Sequence, residues 1–279
     1  MNRIRFILFL SGLMAFSSIS DAQKFTLGVK GGLNFTSFTE YKGGTTPMNE
    51  GYNSRLTNNI SVYGEYHFNN LLSLSLGVEY SGQGGQRSGW QPFSLFEAGY
   101  ILFLKYDAQW TSSYNSNLTS EYCYANFKRI IDIKYFLFPL LARVNFQLEK
   151  KLPFSIYGAV GPFIGFLHSA NQITRGSSNI YIDAAGTTEL TYNGSPVGTI
   201  SFDNLLNEDL ASKANSLKLN AFNYGIEGFV GLSYRFFSAH SVFIEVGGNF
   251  GFIPLQKANG YGCNNIGTKT LNVGYAYTF

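Results

Sequence analysis

The stretch that decides the fold is Leu72–Tyr80, which reads LSLSLGVEY. Leucine, valine and tyrosine fill every second position, and serine, glycine and glutamate fill the positions between them. Because neighbouring side chains of a strand point to opposite faces, this alternation predicts a β-strand with one apolar and one polar face. The apolar face must then meet either a protein core or lipid.

Seven further segments carry the same alternation. The eight predicted strands are Phe25–Phe35, Leu56–Phe68, Leu72–Ser81, Tyr135–Phe146, Phe154–Leu167, Phe222–Arg235, Val242–Phe252 and Thr270–Phe279. Each is long enough to cross a membrane as a tilted strand, which takes roughly 9–11 residues. The fifth segment is apolar on both faces, so the pattern leaves open which side of it points inward.

The connections between these strands alternate in length. Three are short, Asn69–Asn70, Gln147–Pro153 and Phe237–His240, and four are long, Thr36–Ser54, Gly84–Lys128, His168–Lys218 and Ile253–Gly267. Short turns on one side and long loops on the other are typical of outer-membrane barrels, whose short turns face the periplasm. In a secreted β-sandwich, which is the alternative, no physical constraint would make short and long connections alternate. The sequence therefore predicts an all-β transmembrane antiparallel β-barrel of eight strands.

The composition fits a barrel that faces lipid. Charged residues make up 13% of the chain and aromatic residues 17%, whereas soluble domains carry about 25% charged residues. After Gln23 no apolar run is long enough for a spanning helix. The formal net charge of +3 gives no support to nucleic-acid binding.

The N-terminus is typical of a cleaved secretion signal. Two arginines precede the apolar run Phe6–Phe16, and small residues stand at the third and last positions before a cut between Ala22 and Gln23. A spanning helix, the alternative, needs roughly 20 apolar residues. We therefore expect residues 1–22 to be removed and residues 23–279 to form one barrel domain.

The polar face of the predicted strands turns into the barrel lumen. It carries charges of both signs, Lys30, Glu65, Glu79, Arg143, Glu227, Arg235 and Glu245. Eight strands leave room only for side chains or one small ligand, and a low-dielectric interior penalises an unpaired charge. We therefore expect a paired charge network in a packed interior, with an ion path as the alternative.

Four segments resemble the PorT-like outer-membrane β-barrel family, which is widespread in Bacteroidetes. They are Leu27–Asn34, Tyr135–Leu141, Tyr157–Gly165 and Leu271–Phe279. The family usually has an acidic residue before an Ile-Pro pair in the fourth strand. This chain has Leu137 there, followed by Phe138 and Pro139.

The resemblance implies a Gram-negative outer membrane and insertion by the barrel-assembly machinery, which reads an aromatic residue at the end of the last strand. Tyr275, Tyr277 and Phe279 match this assembly signal. The family's named member serves a protein-secretion system, so an envelope or secretion accessory role is implied as well. The expected partners are outer-membrane lipid, the assembly machinery during insertion and another envelope protein.

Few residues suggest chemistry. The chain has three histidines, which limits metal sites and His-based catalysis. His168 with Ser169 is the one candidate for a hydrolytic site at the outer rim, but neighbours in an extended chain point to opposite faces, so a remote partner would be needed. The glycine-rich stretches Gly82–Gly85 and Gly247–Gly251 lack the helix that follows a phosphate-binding loop, and we expect them to serve packing. We predict no enzyme, no cofactor and no metal.

The two cysteines, Cys123 and Cys263, both fall in predicted outer loops. An exported pair in an oxidising compartment favours a disulfide. Such a bond would join the second outer loop to the fourth. Two free thiols or a metal site are the alternatives.

The second outer loop is rich in aromatic residues. Its candidates for a binding surface are Trp90, Phe93, Phe96, Tyr100, Tyr106 and Trp110, because exposed aromatic clusters mark binding sites. Alternatively, strands three and four extend above the membrane and pack these rings on each other, or the loop forms an extra hairpin or short helix. In the third loop we expect a hairpin at Tyr181–Tyr192 and a helix at Asp203–Ala214.

Two functional hypotheses follow. The first is a non-enzymatic barrel that binds an envelope or secretion partner through its extracellular loops. The second is a small-molecule or lipid binder, or a lipid-modifying barrel, that uses the outer rim. Stable association with another envelope protein would favour the first, and loss of activity on lipid after His168→Ala would favour the second. A passive structural barrel with no dedicated ligand is a third alternative.

Overall fold

The computed structural model describes residues 25–40, 47–48, 50–106, 121–148, 153–211, 219–257 and 264–279. The strands are β1 (Phe25–Glu40), β2 (Arg55–His67), β3 (Leu72–Ser94), β4 (Tyr122–Gln147), β5 (Phe154–Arg175), β6 (Ser177–Ser178), β7 (Thr191–Tyr192), β8 (Ser195–Pro196), β9 (Ile200–Ser201), β10 (Glu208–Asp209), β11 (Phe222–Arg235), β12 (His240–Gly251) and β13 (Asn264–Thr278). One helix of the described residues, α1, spans Leu95–Tyr106. No helix in these ranges is long and apolar enough to cross a membrane. The predicted signal peptide lies outside them and stays a prediction.

Eight long strands close into a ring. The antiparallel neighbours are β1–β2, β2–β3, β3–β4, β4–β5, β5–β11, β11–β12, β12–β13 and β13–β1. The last pair joins the first strand to the last, with Thr26 opposite Thr278. Closure leaves the ring without an edge of unpaired backbone groups, which hydrocarbon requires. The predicted eight-stranded antiparallel barrel is confirmed.

The alternation read from the sequence sorts the side chains between the two faces of the wall. On the outer face Ile60 and Leu76 are 62% and 60% exposed, whereas Asn34 and Glu65 on the inner face are buried. Two bands of aromatic side chains border the outer face. The extracellular band contains Tyr80, Phe136, Phe166, Phe222 and Phe252, and the periplasmic band contains Tyr66, Phe154, Tyr234, Tyr277 and Phe279. Such girdles mark the two membrane interfaces.

A bulge explains why the fifth segment has no clear period. His168 is an extra residue of β5 where the register shifts opposite Lys134 and Tyr135. A bulge places two residues opposite one and so reverses which residues face inward. Below it odd-numbered residues such as Phe163 are buried, and above it even-numbered residues such as Thr174 are buried.

Several strands are longer than predicted. β1 runs to Glu40, β3 to Ser94 and β5 to Arg175, while β4 already begins at Tyr122 and β13 at Asn264. The long loops predicted from the sequence are therefore shorter than expected. The apolar alternation ends at the extracellular girdle because the outer face of the strands beyond it meets water, so it cannot mark the true strand ends.

Inward-facing rings of the wall lie over glycines of the neighbouring strand. The pairs are Tyr63 with Gly28, Tyr157 with Gly231, and Phe243 with Gly274. A Cβ at any of these glycines would overlap the ring. The two glycine-rich stretches expected to serve packing show the same kind of contact: a Cβ at Gly85 would meet the Phe38 ring, and a Cβ at Gly247 would meet the Phe229 ring.

The third outer loop is tied to the strands below it. Tyr181 bridges Glu189, and the Leu190 N–H donates a hydrogen bond of 2.8 Å to the Ile180 carbonyl, so the predicted hairpin is present. A second, smaller hairpin pairs β7 with β8. The predicted helix at Asp203–Ala214 is wrong where it is described: a turn leads into β10, which pairs with β5. The Asp203 carboxylate accepts a hydrogen bond of 2.9 Å from the Gly176 N–H instead of capping a helix.

Candidate functional site: the barrel interior and the outer cap

Two ion pairs hold the charged residues in the periplasmic half of the lumen. Lys30 Nζ lies 2.6 Å from Glu245 Oε1, and Arg143 Nη1 lies 3.0 Å from Glu65 Oε2. Both carboxylates are buried, so removing either cation would leave an uncompensated charge in a low-dielectric environment. The structure thus brings four residues of the expected charge network together in two pairs.

Aromatic rings complete this charged layer. The Tyr157 hydroxyl donates a hydrogen bond of 2.9 Å to Glu245 Oε2, and the guanidinium carbon of Arg143 lies 3.4 Å from the centre of the Tyr157 ring. Lys30 Nζ lies 3.9 Å from the centre of the Phe229 ring. These are cation–π contacts, which gain strength when desolvated. Sequence reasoning missed Tyr157 because the bulge in β5 hid the inward face of that strand.

Three other members of the expected network stand apart from these pairs. Glu227 is 1% exposed, yet neither of its carboxylate oxygens has a hydrogen-bond partner within the described ranges. Glu79 is buried on the inner face of β3. Arg235 lies exposed at the periplasmic end of β11 and forms no ion pair with any described residue. The seven residues therefore do not form one continuous paired network.

The extracellular half of the interior combines an apolar cluster with buried amide side chains, among them Gln83, Asn223 and Asn249. The apolar cluster consists of Ile131, Ile133, Tyr135, Leu137, Phe163, Ala170, Leu219, Leu255 and Ile266. We call this cluster the plug. Leu137, which stands where the PorT-like family usually has an acidic residue, is 1% exposed within it. An apolar side chain at this position fits the plug, because a carboxylate there would lack a partner.

Above the plug, the ends of β3 and β4, helix α1 and the third loop form a second apolar core, which we call the cap. Its members include Phe93, Leu102, Phe127, Ile180 and Phe202. The Phe127 and Phe202 rings stack with centres 4.5 Å apart, and Phe93 meets both edge-on. Phe93, expected on a binding surface, is thus fully buried and belongs to the cap core.

Cys123 also lies in the cap core. It is a free thiol, fully buried among apolar side chains, and burial raises its pKa to about 12. The expected disulfide with Cys263 is therefore not supported by the structure, in which Cys123 packs as a small apolar residue. Cys263 itself lies outside the described residues.

A buried ion pair fastens α1 to the barrel. Arg129 Nη2 on β4 lies 2.9 Å from Glu97 Oε1, and Arg129 is 2% exposed. Burial alone would lower the pKa of Arg129, but Glu97 and the Tyr52 hydroxyl beside it outweigh burial and raise it. Glu97 also accepts a hydrogen bond from the Ser94 N–H, while its own N–H donates to Ser94 Oγ. This capping box begins α1 and was readable in the sequence.

One face of α1 remains exposed. Phe96, Tyr100, Phe103 and Leu104 follow a helical spacing and are 71%, 43%, 48% and 50% exposed. The opposite face, with Ile101 and Leu102, packs into the cap. We call the exposed face the α1 stripe. Sequence reasoning left Leu104 out because it considered aromatic residues alone and kept a short helix here only as an alternative.

Two aromatic candidates are partly engaged in the cap itself. Trp90 stacks on Tyr124 and donates from Nε1 to the Ala184 carbonyl at 2.9 Å. Tyr106 stacks on Tyr192 with ring centres 4.8 Å apart. Both rings are still partly exposed. Trp110 lies outside the described residues.

His168 does not begin a loop, as the sequence suggested. It lies in β5, on the outer face at the extracellular girdle, with its ring 5.7 Å from that of Tyr80 and 5.2 Å from that of Phe136. The structure records no hydrogen bond between His168 and Ser169. The geometry supplies no described nucleophile and base at this rim.

The residues of the expected assembly signal end the last strand of the ring. The Phe279 N–H donates a hydrogen bond of 2.8 Å to the Phe25 carbonyl, and its ring packs edge-on against Tyr277. The Tyr275 hydroxyl lies 2.5 Å from His240 Nδ1. All three aromatic residues belong to the periplasmic end of the outer face.

A closed ring of strands with an apolar outer wall between two aromatic girdles defines an integral outer-membrane β-barrel. The sequence matches the family described as outer membrane protein beta-barrel domain over residues 16–257, and the chain belongs to that family. The protein therefore resides in the outer membrane. No curated protein matches the chain.

Solved barrels resemble the structure only distantly. The attachment invasion locus protein Ail of Yersinia pestis is 11% identical, with 93% of this chain and 100% of that chain covered and a TM-score of 0.35. Neisserial surface protein A is 12% identical, with coverage of 93% and 100% and a TM-score of 0.38. OprG from Pseudomonas aeruginosa is 9% identical, with coverage of 91% and 95% and a TM-score of 0.38. Likenesses this weak carry no argument about function.

Proposed function

We propose that this barrel is a non-enzymatic envelope protein that binds another protein through the α1 stripe. The observation that carries the proposal is an apolar face of α1 that is exposed to water while the rest of the helix packs firmly on the cap. Phe96, at 71% exposed, stands at the start of the stripe, while the opposite face of α1 is locked into the cap by Arg129 and Glu97. Aromatic side chains that are exposed but rigidly supported are the usual anchors of a protein interface.

The height of α1 favours a protein partner over lipid. Glu97 of α1 pairs with Arg129, which lies opposite Arg87 on β3. Arg87 is seven residues beyond Tyr80 of the extracellular girdle, or roughly 23 Å along the strand at about 3.3 Å per residue. Strands of such barrels tilt by roughly 35–45°, so this corresponds to about 18 Å above the girdle. An apolar face at that height meets water or protein.

The interior argues against a transport role. Buried side chains pack the extracellular half of the lumen tightly, with Leu137 and Phe163 of the plug beside Asn223. The gap between them has no room for a water molecule, so a hydrated ion has no path through this half. The outer cap, and not a pore, is then the part of the molecule that meets the cell exterior.

The resemblance of Leu27–Asn34, Tyr157–Gly165 and Leu271–Phe279 to PorT-like barrels extends this proposal to the kind of partner. We place the protein among envelope or secretion accessory barrels of Bacteroidetes. Its partner is then another component of the envelope or of a secretion apparatus.

The test is purification of the tagged, full-length protein from its own outer membrane in mild detergent, with every co-purifying protein identified. A double variant, Phe96→Ser with Phe103→Ser, removes the centre of the α1 stripe. We expect it to recover at least about ten-fold less partner, since truncated interface anchors cost about 2 kcal/mol or more.

The matched control is Phe237→Ser, which removes an equally exposed ring (67%) in a periplasmic turn. It should leave partner recovery unchanged. All variants must first show the compact mobility of a folded barrel in an unheated gel. A solitary wild-type barrel, or equal recovery with the double variant, would overturn the proposal.

A further inference from the structure

A cavity of about 390 Å³ occupies the periplasmic mouth of the barrel. Its walls are the strand ends and short turns on that side, and they include Glu65, His67, Asn145, Ser233 and Arg235. The volume lies near the lower end of the range for small-molecule sites, roughly 300–1,000 Å³. This cavity is remote from the α1 stripe and independent of the function proposed for it.

The cavity is closed from above. Its roof is the layer in which Arg143 lies over Tyr157, with Phe243 and Tyr63 beside it. Beyond that layer the plug and buried polar side chains such as Asn34 and Asn223 pack the lumen. A ligand therefore has access to the cavity from the periplasm.

The charge around the cavity is unbalanced. Glu65 is the one carboxylate among its described lining residues, and it is already held by Arg143 at 3.0 Å and by the Ser73 hydroxyl at 2.5 Å. His67 Nε2 is within hydrogen-bond distance of Thr26 Oγ1, 2.9 Å away. Arg235 is exposed at the mouth and pairs with none of the described carboxylates. A concave site with a spare guanidinium selects an anion, and a planar carboxylate can meet that group through two hydrogen bonds.

The rest of the lining suits an amide-bearing ligand. Side-chain amides and hydroxyls predominate, among them Asn69, Asn70, Asn145, Gln147, Ser155 and Ser241. Amide side chains both donate and accept hydrogen bonds, which is what the peptide group requires. Phe154 and Phe243 add apolar surface for small side chains.

We propose that the periplasmic cavity binds a short peptide with a free terminal carboxylate. The carboxylate pairs with Arg235, and the peptide groups hydrogen-bond to the amides and hydroxyls of the wall. Two periplasmic sources can supply such a ligand: the end of a protein chain, built of L-residues, and the stem peptide of the cell wall, which ends in D-residues.

The experiment is affinity selection on the folded full-length barrel in detergent micelles. The probes are randomised N-acetylated tripeptides with free carboxylates, in all-L and in D-terminated series, and the same peptides as C-terminal amides. Retained peptides are identified by mass spectrometry, and their dissociation constants are measured by calorimetry. We expect retained acids to bind at least ten-fold more tightly than their amides. The series that is retained identifies the source.

Arg235→Gln should abolish this preference for the acid over the amide. The matched control is Arg175→Gln, which removes another exposed arginine at a strand end, on the extracellular side, and should leave the preference intact. Equal retention of acids and amides, no retention of either series, or equal loss with both variants would each overturn the proposal. Displacement of the peptides by the same concentration of inorganic phosphate would also overturn it, because Arg235 would then be a non-selective anion site.

Discussion

The two halves of the barrel interior differ in how they are packed. The periplasmic half holds Lys30–Glu245 and Arg143–Glu65 around an open cavity, whereas the extracellular half is tightly packed by the plug and by buried amides such as Asn223. The outer wall shows no such contrast, because the same lipid surrounds both halves. The lipid thus determines which residue types face outward, and the features particular to this chain lie in the lumen.

The largest effect is expected from removing a charge in the periplasmic half. Lys30→Met leaves Glu245 buried without its cation, and breaking a buried pair in this way costs about 3–5 kcal/mol. Urea unfolding in lipid vesicles measures the loss. Combining Lys30→Met with Glu245→Gln should recover most of the stability. An unchanged unfolding midpoint in the single variant would mean that the pair is not desolvated.

A cavity in the plug should cost somewhat less. Leu137→Ala removes a fully buried side chain, and such truncations lose about 2–5 kcal/mol. The control is Leu76→Ala on the lipid-facing wall, where lipid can fill the space and the loss should be smaller. The same unfolding assay compares the two variants. Equal losses would show that the plug is no better packed than the lipid interface.

Replacing a glycine that lies under an inward-facing ring should lower the free energy of unfolding by a smaller amount. Gly231→Val drives a side chain into the Tyr157 ring, and overpacking of this kind costs about 1–3 kcal/mol. Gly158→Val on the adjacent strand meets no atom within 4 Å and should be neutral. The unfolding free energies of the two variants decide the matter, and a neutral Gly231→Val would contradict the packing described here.

The smallest effect concerns the thiol in the cap. Because burial raises the pKa of Cys123 to about 12, the folded protein holds almost no thiolate at pH 8, and thiolate is the reactive form. In a Cys263→Ser background we expect iodoacetamide to label Cys123 only after unfolding. The raised pKa also makes the free energy of unfolding depend on pH. The stabilisation that comes from the thiol is complete below about pH 8.5, the pKa of an unfolded cysteine. It declines as pH rises towards 12, because the unfolded state then loses the proton first.

Labelling of the wild-type protein tests the disulfide separately. If both thiols of the unfolded wild type react without prior reduction, Cys123 and Cys263 are not bonded. If they react only after reduction, the disulfide expected from the sequence exists after all. Mass spectrometry of the alkylated peptides distinguishes the two results.

The sequence predicted the barrel because lipid imposes a strict rule on every second residue, as in Leu72–Tyr80. It predicted the ends of the strands poorly, since beyond Tyr80 the outer face meets water and the rule lapses. The bulge at His168 could not be read either, because one extra residue changes the period without changing the composition. The capping box Ser94–Glu97 could be read from the sequence, and it marks the residue at which α1 begins. The burial of Phe93 could not be read, because it depends on contacts with the third loop, which is distant in sequence.

The rings that rest on glycines bear on how the strands find their partners during insertion. A slip of two residues between neighbouring strands would keep apolar side chains outside and polar ones inside, so lipid alone cannot detect it. Such a slip would place Tyr63 opposite Thr26 or Lys30 in place of Gly28, with no room for its ring. Contacts of this kind between a ring and a glycine therefore constrain the alignment of neighbouring strands, and they disfavour pairings that the membrane would accept.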